Sequence, residues 1–131
     1  LPKSIVMAIA GPVDLPPIKL TNAEWTIEPD ALIDTFGFRD VVVINDFEAL
    51  ALALPSLEDK DLIQLGGGEA RENAPRVVIG PGTGLGVASL VSSAGRLTPI
   101  PGEGGHVAFG PETDEDFALW PHLERFHGRI T

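Results

Sequence analysis

Asn45 and Asp46 close the apolar run Val41-Val42-Val43-Ile44. Such a run has the pattern of a parallel strand covered on both faces, and an acid at its carboxyl end projects into the crevice where open α/β sheets place ligands. Asn45 beside it offers both a donor and an acceptor. Asp46 is equally suited to capping the helix that follows. A second cluster is Gly80-Pro81-Gly82-Thr83-Gly84-Leu85-Gly86, flanked by Val77-Val78-Ile79 and Val87-Ala88-Ser89-Leu90-Val91. The flanks favour a pleated backbone, so the glycines join two strands. Their bare amides and the Thr83 hydroxyl could wrap a phosphate, or the run could be a hairpin that needs positive φ at several positions. The third cluster is Pro101-Gly102-Glu103-Gly104-Gly105-His106. A carboxylate and an imidazole three residues apart, separated only by glycines, suit a hydroxyl-rich ligand, and an ordinary solvated turn has the same composition. A strand-end acid, a phosphate-wrapping turn and a Glu/His pair are together the parts of a phosphoryl transfer to an alcohol.

Several chemistries are excluded by what is missing. A dinucleotide fingerprint needs a third glycine where Leu85 stands and must open a helix. A Walker loop needs a lysine that the glycine run lacks, and no Gly-x-Ser-x-Gly elbow supports a serine hydrolase. Glu103 and His106 supply only two metal ligands, and the chain has no cysteine to add more. The lack of cysteine also removes any disulfide framework and fits a reducing cytoplasm. A net charge of −10, without a Lys/Arg cluster, argues against nucleic acid and anionic membrane surfaces as partners. No apolar stretch approaches the roughly 20 residues that span a bilayer.

The elements that must position these clusters follow from pattern. A length of 131 residues and 44% hydrophobic composition predict one globular domain with an ample core. Ile5 to Ala10 and Ile18 to Leu20 read as strands, separated by a Pro-rich connection. Thr26 is placed to cap a helix entered through Pro29, with Leu32, Ile33 and Phe36 on one face and Gly37 as its stop. Glu48 to Leu54 alternates like a strand but consists of strong helix formers, which predicts a helix buried on several sides and ended by Pro55. Beyond it the character changes to short strands at 62–65, 77–79, 87–91 and 97–100, which places a lobe boundary near Pro55 to Glu58. Thr113 to Asp116 resembles a capping box, and Phe117, Trp120, Leu123 and Phe126 recur at helical spacing, with Pro121 expected to kink or split that helix. His122 and His127 fall on its surface, and Trp25 and Trp120 are expected to pack in the core or between lobes.

Five ordered motifs resemble bacterial glucokinase, of the hexokinase and actin-like superfamily. They are Val43-Ile44-Asn45-Asp46-Phe47, then Ala49 to Pro55, Leu62-Ile63-Gln64-Leu65-Gly66-Gly67, Gly80 to Val87 and Pro101 to His106, with Thr21-Asn22 and Trp25 also matching. The resemblance implies an α/β fold of ribonuclease-H-like lobes. Residues 1–56 would be the C-terminal part of the small lobe and residues 57–131 the N-terminal part of the large lobe. It implies transfer of the ATP γ-phosphoryl group, with Mg²⁺, to the 6-hydroxyl of glucose in the cytoplasm. Asp46 would be the general base and Asn45 would bond neighbouring hydroxyls. Glu103 and His106 would hold hydroxyls near the anomeric end, and Gly82, Thr83 and Gly84 would form a phosphate-binding turn with Gly84 touching the sugar.

The family's first phosphate loop and adenosine-binding segment are not found in these residues, and the opening Leu1-Pro2-Lys3 reads as a cut end. The expectation is a central portion of such an enzyme, inactive alone, with bare strand edges that favour self-association or domain swapping. Alternatives are another sugar kinase of the superfamily, such as the zinc-binding group whose cysteine-rich motif is absent here, and a sugar-binding module that transfers nothing.

Overall fold

The structure is a computed structural model that describes residues 2–20, 23–82 and 84–131. Two parallel strands come first. β1 (Ser4–Ile9) pairs in register with β4 (Asp40–Asn45), from Ser4 opposite Asp40 to Ile9 opposite Asn45. Between them lie the short antiparallel pair β2 (Ile18–Lys19) and β3 (Thr26–Ile27) and the helix α1 (Pro29–Phe36). Proline at the helix start needs no amide partner there, and Gly37 ends α1 at φ 70°, its N–H donating to the Ile33 carbonyl. Thr26 is not the cap, because it is held in β3, and Glu28 occupies the cap position without a side-chain bond. On the β1–β4 pair only one face is covered. Val6 and Val42, opposite each other, are exposed, so the expected covering on both faces is not seen.

Helix α2 (Asp46–Ala53) leaves the end of β4 directly and lies on a third, larger sheet. That sheet is antiparallel, in the order β5 (Arg76–Pro81), β6 (Leu85–Ser93), β7 (Arg96–Gly102). Ala94 and Gly95 join β6 to β7, both at positive φ, as a primed hairpin turn requires. The core is where α2 crosses β6: Ala51, Ala88 and Leu90 are buried, with Phe47, Leu54 and Val78 packed around them. This core is smaller than the composition predicted. Among the described residues only Ile18 joins those three as a buried hydrophobic side chain, and α2 shows Leu50 and Leu52 to solvent. Three small sheets and single helices have too few layers to cover both faces of each element.

Two further expectations fail for local reasons. Leu62 to Leu65 forms no strand, and Ile63 and Leu65 are almost fully open to solvent, because among the described residues no strand pairs with this segment. Gln64 instead donates from its side chain to the carbonyls of Gly66 and Gly68. Helix α3 (Asp114–Leu119) has the predicted capping box between Thr113 and Asp116, but it ends before Trp120. Pro121 sits in a tight turn over Trp120–His122, so Leu123 and Phe126 are not helical and His127 lies in a turn at φ 49°. Trp120 stacks against Phe109 at 5.5 Å between ring centroids, whereas Trp25 is exposed rather than in a core.

Candidate functional site

The carboxyl ends of the parallel strands β1 and β4 open onto a cleft of about 440 Å³. Ala10 and Gly11 line it from the β1 side, Asn45, Asp46 and Phe47 from the β4–α2 junction. The β5–β6 hairpin contributes Gly82 and Gly84, and the segment after β7 contributes Glu103 and His106. Four stretches of chain, from Ala10 to His106, thus meet at one cavity. Thr83 and the Thr21-Asn22 pair lie outside the described residues.

Asn45, rather than Asp46, caps α2. Its Oδ1 accepts from the Phe47 amide at 2.9 Å and the Glu48 amide at 3.3 Å, and the Glu48 carboxylate accepts in return from the Asn45 amide. Its Nδ2 donates to the Gly11 carbonyl at 3.3 Å, which ties the ends of β1 and β4 together. Only the second Nδ2 hydrogen remains for a ligand. Asp46 is the first residue of the helix, half-buried, with its Oδ1 also accepting from the Phe47 amide at 2.9 Å.

The glycine run joins β5 to β6 as a hairpin, but none of its described glycines adopts the positive φ expected of such a turn, and they are not all there for the turn. Gly80 and Gly86 face each other across β5 and β6, and the Phe47 ring lies over them. A Cβ on Gly80 would stand 2.7 Å from Phe47 Cζ, and one on Gly86 would overlap the ring outright. Nor are the turn amides all bare. The Gly82 N–H donates to the Gly84 carbonyl at 2.8 Å, inside the turn, so it is not available to a phosphate.

Glycines also place the Glu/His pair. A tight turn over Gly104–His106 brings His106 Nε2 to 3.8 Å from the Glu103 carboxylate, both side chains largely exposed. Gly104 and Gly105 face the protein rather than a ligand. A Cβ on Gly104 would strike the Val87 side chain, and one on Gly105 would stand 2.8 Å from the Leu85 carbonyl oxygen. Phe47 is the residue that sequence reasoning passed over. Its signal was an aromatic immediately after Asn-Asp, with two glycines that a hairpin register sets opposite each other.

Among the described residues no Lys or Arg lines the cleft, and no group of three His, Asp or Glu could hold a metal ion. Nor is any described helix long and apolar enough to cross a membrane.

Comparison with known proteins gives one answer. A family model described as Glucokinase matches residues 1–131. A glucokinase of Brucella suis biovar 1 is 52% identical over 130 residues, and one of Sinorhizobium fredii is 51% identical over 129. These matches take in 99% and 98% of the chain but 38% of each relative, so the chain spans well under half the length of the curated proteins it matches. A crystal structure of glucokinase from an Antarctic psychrotroph superposes with a TM-score of 0.77 at 37% identity, covering 88% of this chain and 36% of that one. The mixed α/β fold is therefore that of a glucokinase segment.

Proposed function

Because this chain belongs to the glucokinase family, we propose that its cleft is the sugar-side half of a site that transfers the γ-phosphoryl group of ATP to the 6-hydroxyl of glucose. The observation that carries this reading is the convergence of Asp46, Glu103 and His106 with the glycine hairpin on one cavity at the ends of two parallel strands.

On this reading Glu103 and His106 bind sugar hydroxyls, and the remaining Nδ2 hydrogen of Asn45 donates to another. Asp46 accepts the proton of the 6-hydroxyl as that oxygen forms its bond to the γ-phosphorus. The bond from phosphorus to the bridging oxygen breaks, and ADP leaves with the electron pair. Transfer of this kind depends on alignment and charge stabilisation, to which a positioned base adds about 10² to 10⁴ in rate. The turn around Gly82 and Gly84 faces the phosphate side, with Gly84 near the sugar.

No cationic side chain of the described residues lines the cleft to offset phosphate charge; Mg²⁺ held by the ATP phosphates would supply that charge stabilisation, and the rest of a full-length protein would supply most of the nucleotide contacts. The 131 residues by themselves are then inactive. We also assign residues 1–56 and 57–131 to the two lobes, with α2 forming the seam between them, and place the protein in the cytoplasm.

The test is Asp46→Ala in a full-length glucokinase carrying these residues. Turnover is expected to fall by about 10² to 10⁴ while glucose affinity stays within a few-fold. Equal turnover would remove Asp46 from the reaction.

A further inference from the structure

Phe47 touches both halves of the cleft. Its backbone N–H donates to the side chains of Asn45 and Asp46, each at 2.9 Å, while its ring fills the space above Gly80 and Gly86. The two glycines are cross-strand partners immediately below the turn that carries Gly82 and Gly84. One residue therefore fixes the acid at the helix start and, through its ring, the height of that helix above the hairpin. The fit is tight from both sides. Any Cβ at Gly86 must push the ring away, and any smaller side chain at 47 leaves the hairpin without its spacer.

We propose that Phe47 is a positioning residue which sets the separation between the Asp46 carboxylate and the glycine turn by seating its ring on the Gly80–Gly86 pair. The proposal rests on the transfer reaction assigned above. Phe47 lines the cleft, but its task is alignment: a shift of about 1 Å in the acid relative to the transferred group is enough to lower turnover by about 10²-fold. Glu103 and His106 flank Gly104 and Gly105, which pack on Val87 and Leu85 to either side of Gly86, so the pair moves with the hairpin and keeps its own geometry when the spacing to Asp46 changes.

The experiment is a double-substitution cycle in a full-length glucokinase carrying these residues, reading kcat, glucose KM and thermal midpoint for Gly86→Ala, Phe47→Ala and the pair. Gly86→Ala is expected to lower kcat by about 10²-fold with KM nearly unchanged. Adding Phe47→Ala removes the collision, so the pair should lose no more than Phe47→Ala alone, in kcat and in thermal midpoint alike. Losses that multiply in the pair, or a folded Gly86→Ala protein with its parent's kcat, would overturn the proposal. Should Gly86→Ala not fold, Gly80→Ala with Phe47→Leu asks the same question at the gentler contact. Asp46→Asn is measured in parallel: if it keeps turnover, the base assignment fails, while the thermal part of the cycle still decides whether ring and glycines are coupled.

Discussion

Asn45 donates to the carbonyl of Gly11 at 3.3 Å, and this bond joins the ends of two parallel strands at the floor of the cleft. The same side chain caps α2, so it is a structural bracket before it is a ligand. Asn45→Ala should destabilise the protein by about 1–2 kcal/mol through loss of the cap. Asn45→Asp should keep the cap yet lose the donor to Gly11 and set a second negative charge beside Asp46. Denaturant midpoints and glucose KM, measured together, separate these effects: Ala is expected to harm stability more, and Asp to harm KM more than stability.

The exposed Glu103–His106 pair contributes little to folding, since a contact at 3.8 Å between solvated groups is worth little on its own. Its assigned task is binding. Glu103→Gln and His106→Asn in a full-length enzyme are expected to raise glucose KM by about tenfold, the worth of one or two hydrogen bonds to a charged group, with the thermal midpoint unchanged. A changed midpoint with an unchanged KM would assign the pair to the fold instead.

Two exposed carboxyls bear on acid stability. Hydrogen bonds from Arg39 and Ser4 hold Asp40 below the ordinary aspartate value of 3.8, and bonds from Thr113 and the Glu112 amide do the same for Asp116. A carboxyl whose folded pKa lies below its unfolded one stabilises the fold above pH 3.8, and that contribution is lost as pH falls through the depressed folded value. Urea midpoints measured from pH 6 down to about pH 2.5 should fall less steeply at the acid end in Asp40→Asn and Asp116→Asn than in the parent. Both groups face water, so the difference is small and shrinks further with salt.

Among the described residues β1 and β4 each keep one unpaired edge, beside the exposed face that carries Val6 and Val42. Unpaired edges with apolar neighbours template pairing with another copy. Light scattering of the 131-residue chain is expected to show a mass that rises with concentration. Val6→Lys should shift it toward the monomer, and a parent that stays monodisperse at high concentration would refute the expectation.

The sequence was most legible where composition and topology agree. The β-branched runs at 77–79 and 87–91, punctuated by glycine, could only be strands, and β6 supplies most of the core. At Glu48 to Leu54 helix propensity outweighs the alternation, but the expected burial on several sides is not seen, because a lone helix on a three-stranded sheet buries one stripe. Asn45 and Asp46 are both good caps and adjacent, so only geometry could tell which one turns its oxygen to the helix amides. Leu62 to Leu65 has strand-forming residues, but pairing is decided by a neighbour and no local pattern reports one. At the cleft the polar groups were visible as residue types, whereas the Phe47 ring contact joins residues more than thirty positions apart and surfaces only once the hairpin register is known.

Gly104 and Gly105 press against Val87 and Leu85, as Gly80 and Gly86 do against Phe47. All four are crowded from inside the molecule, so a larger residue at any of them requires its neighbour to move, whatever occupies the cleft. Should homologues with different substrates all keep them, that constancy would record the space taken by Phe47, Val87 and Leu85. The residues that discriminate one sugar from another would then have to be sought among their polar neighbours, which evolution is freer to exchange.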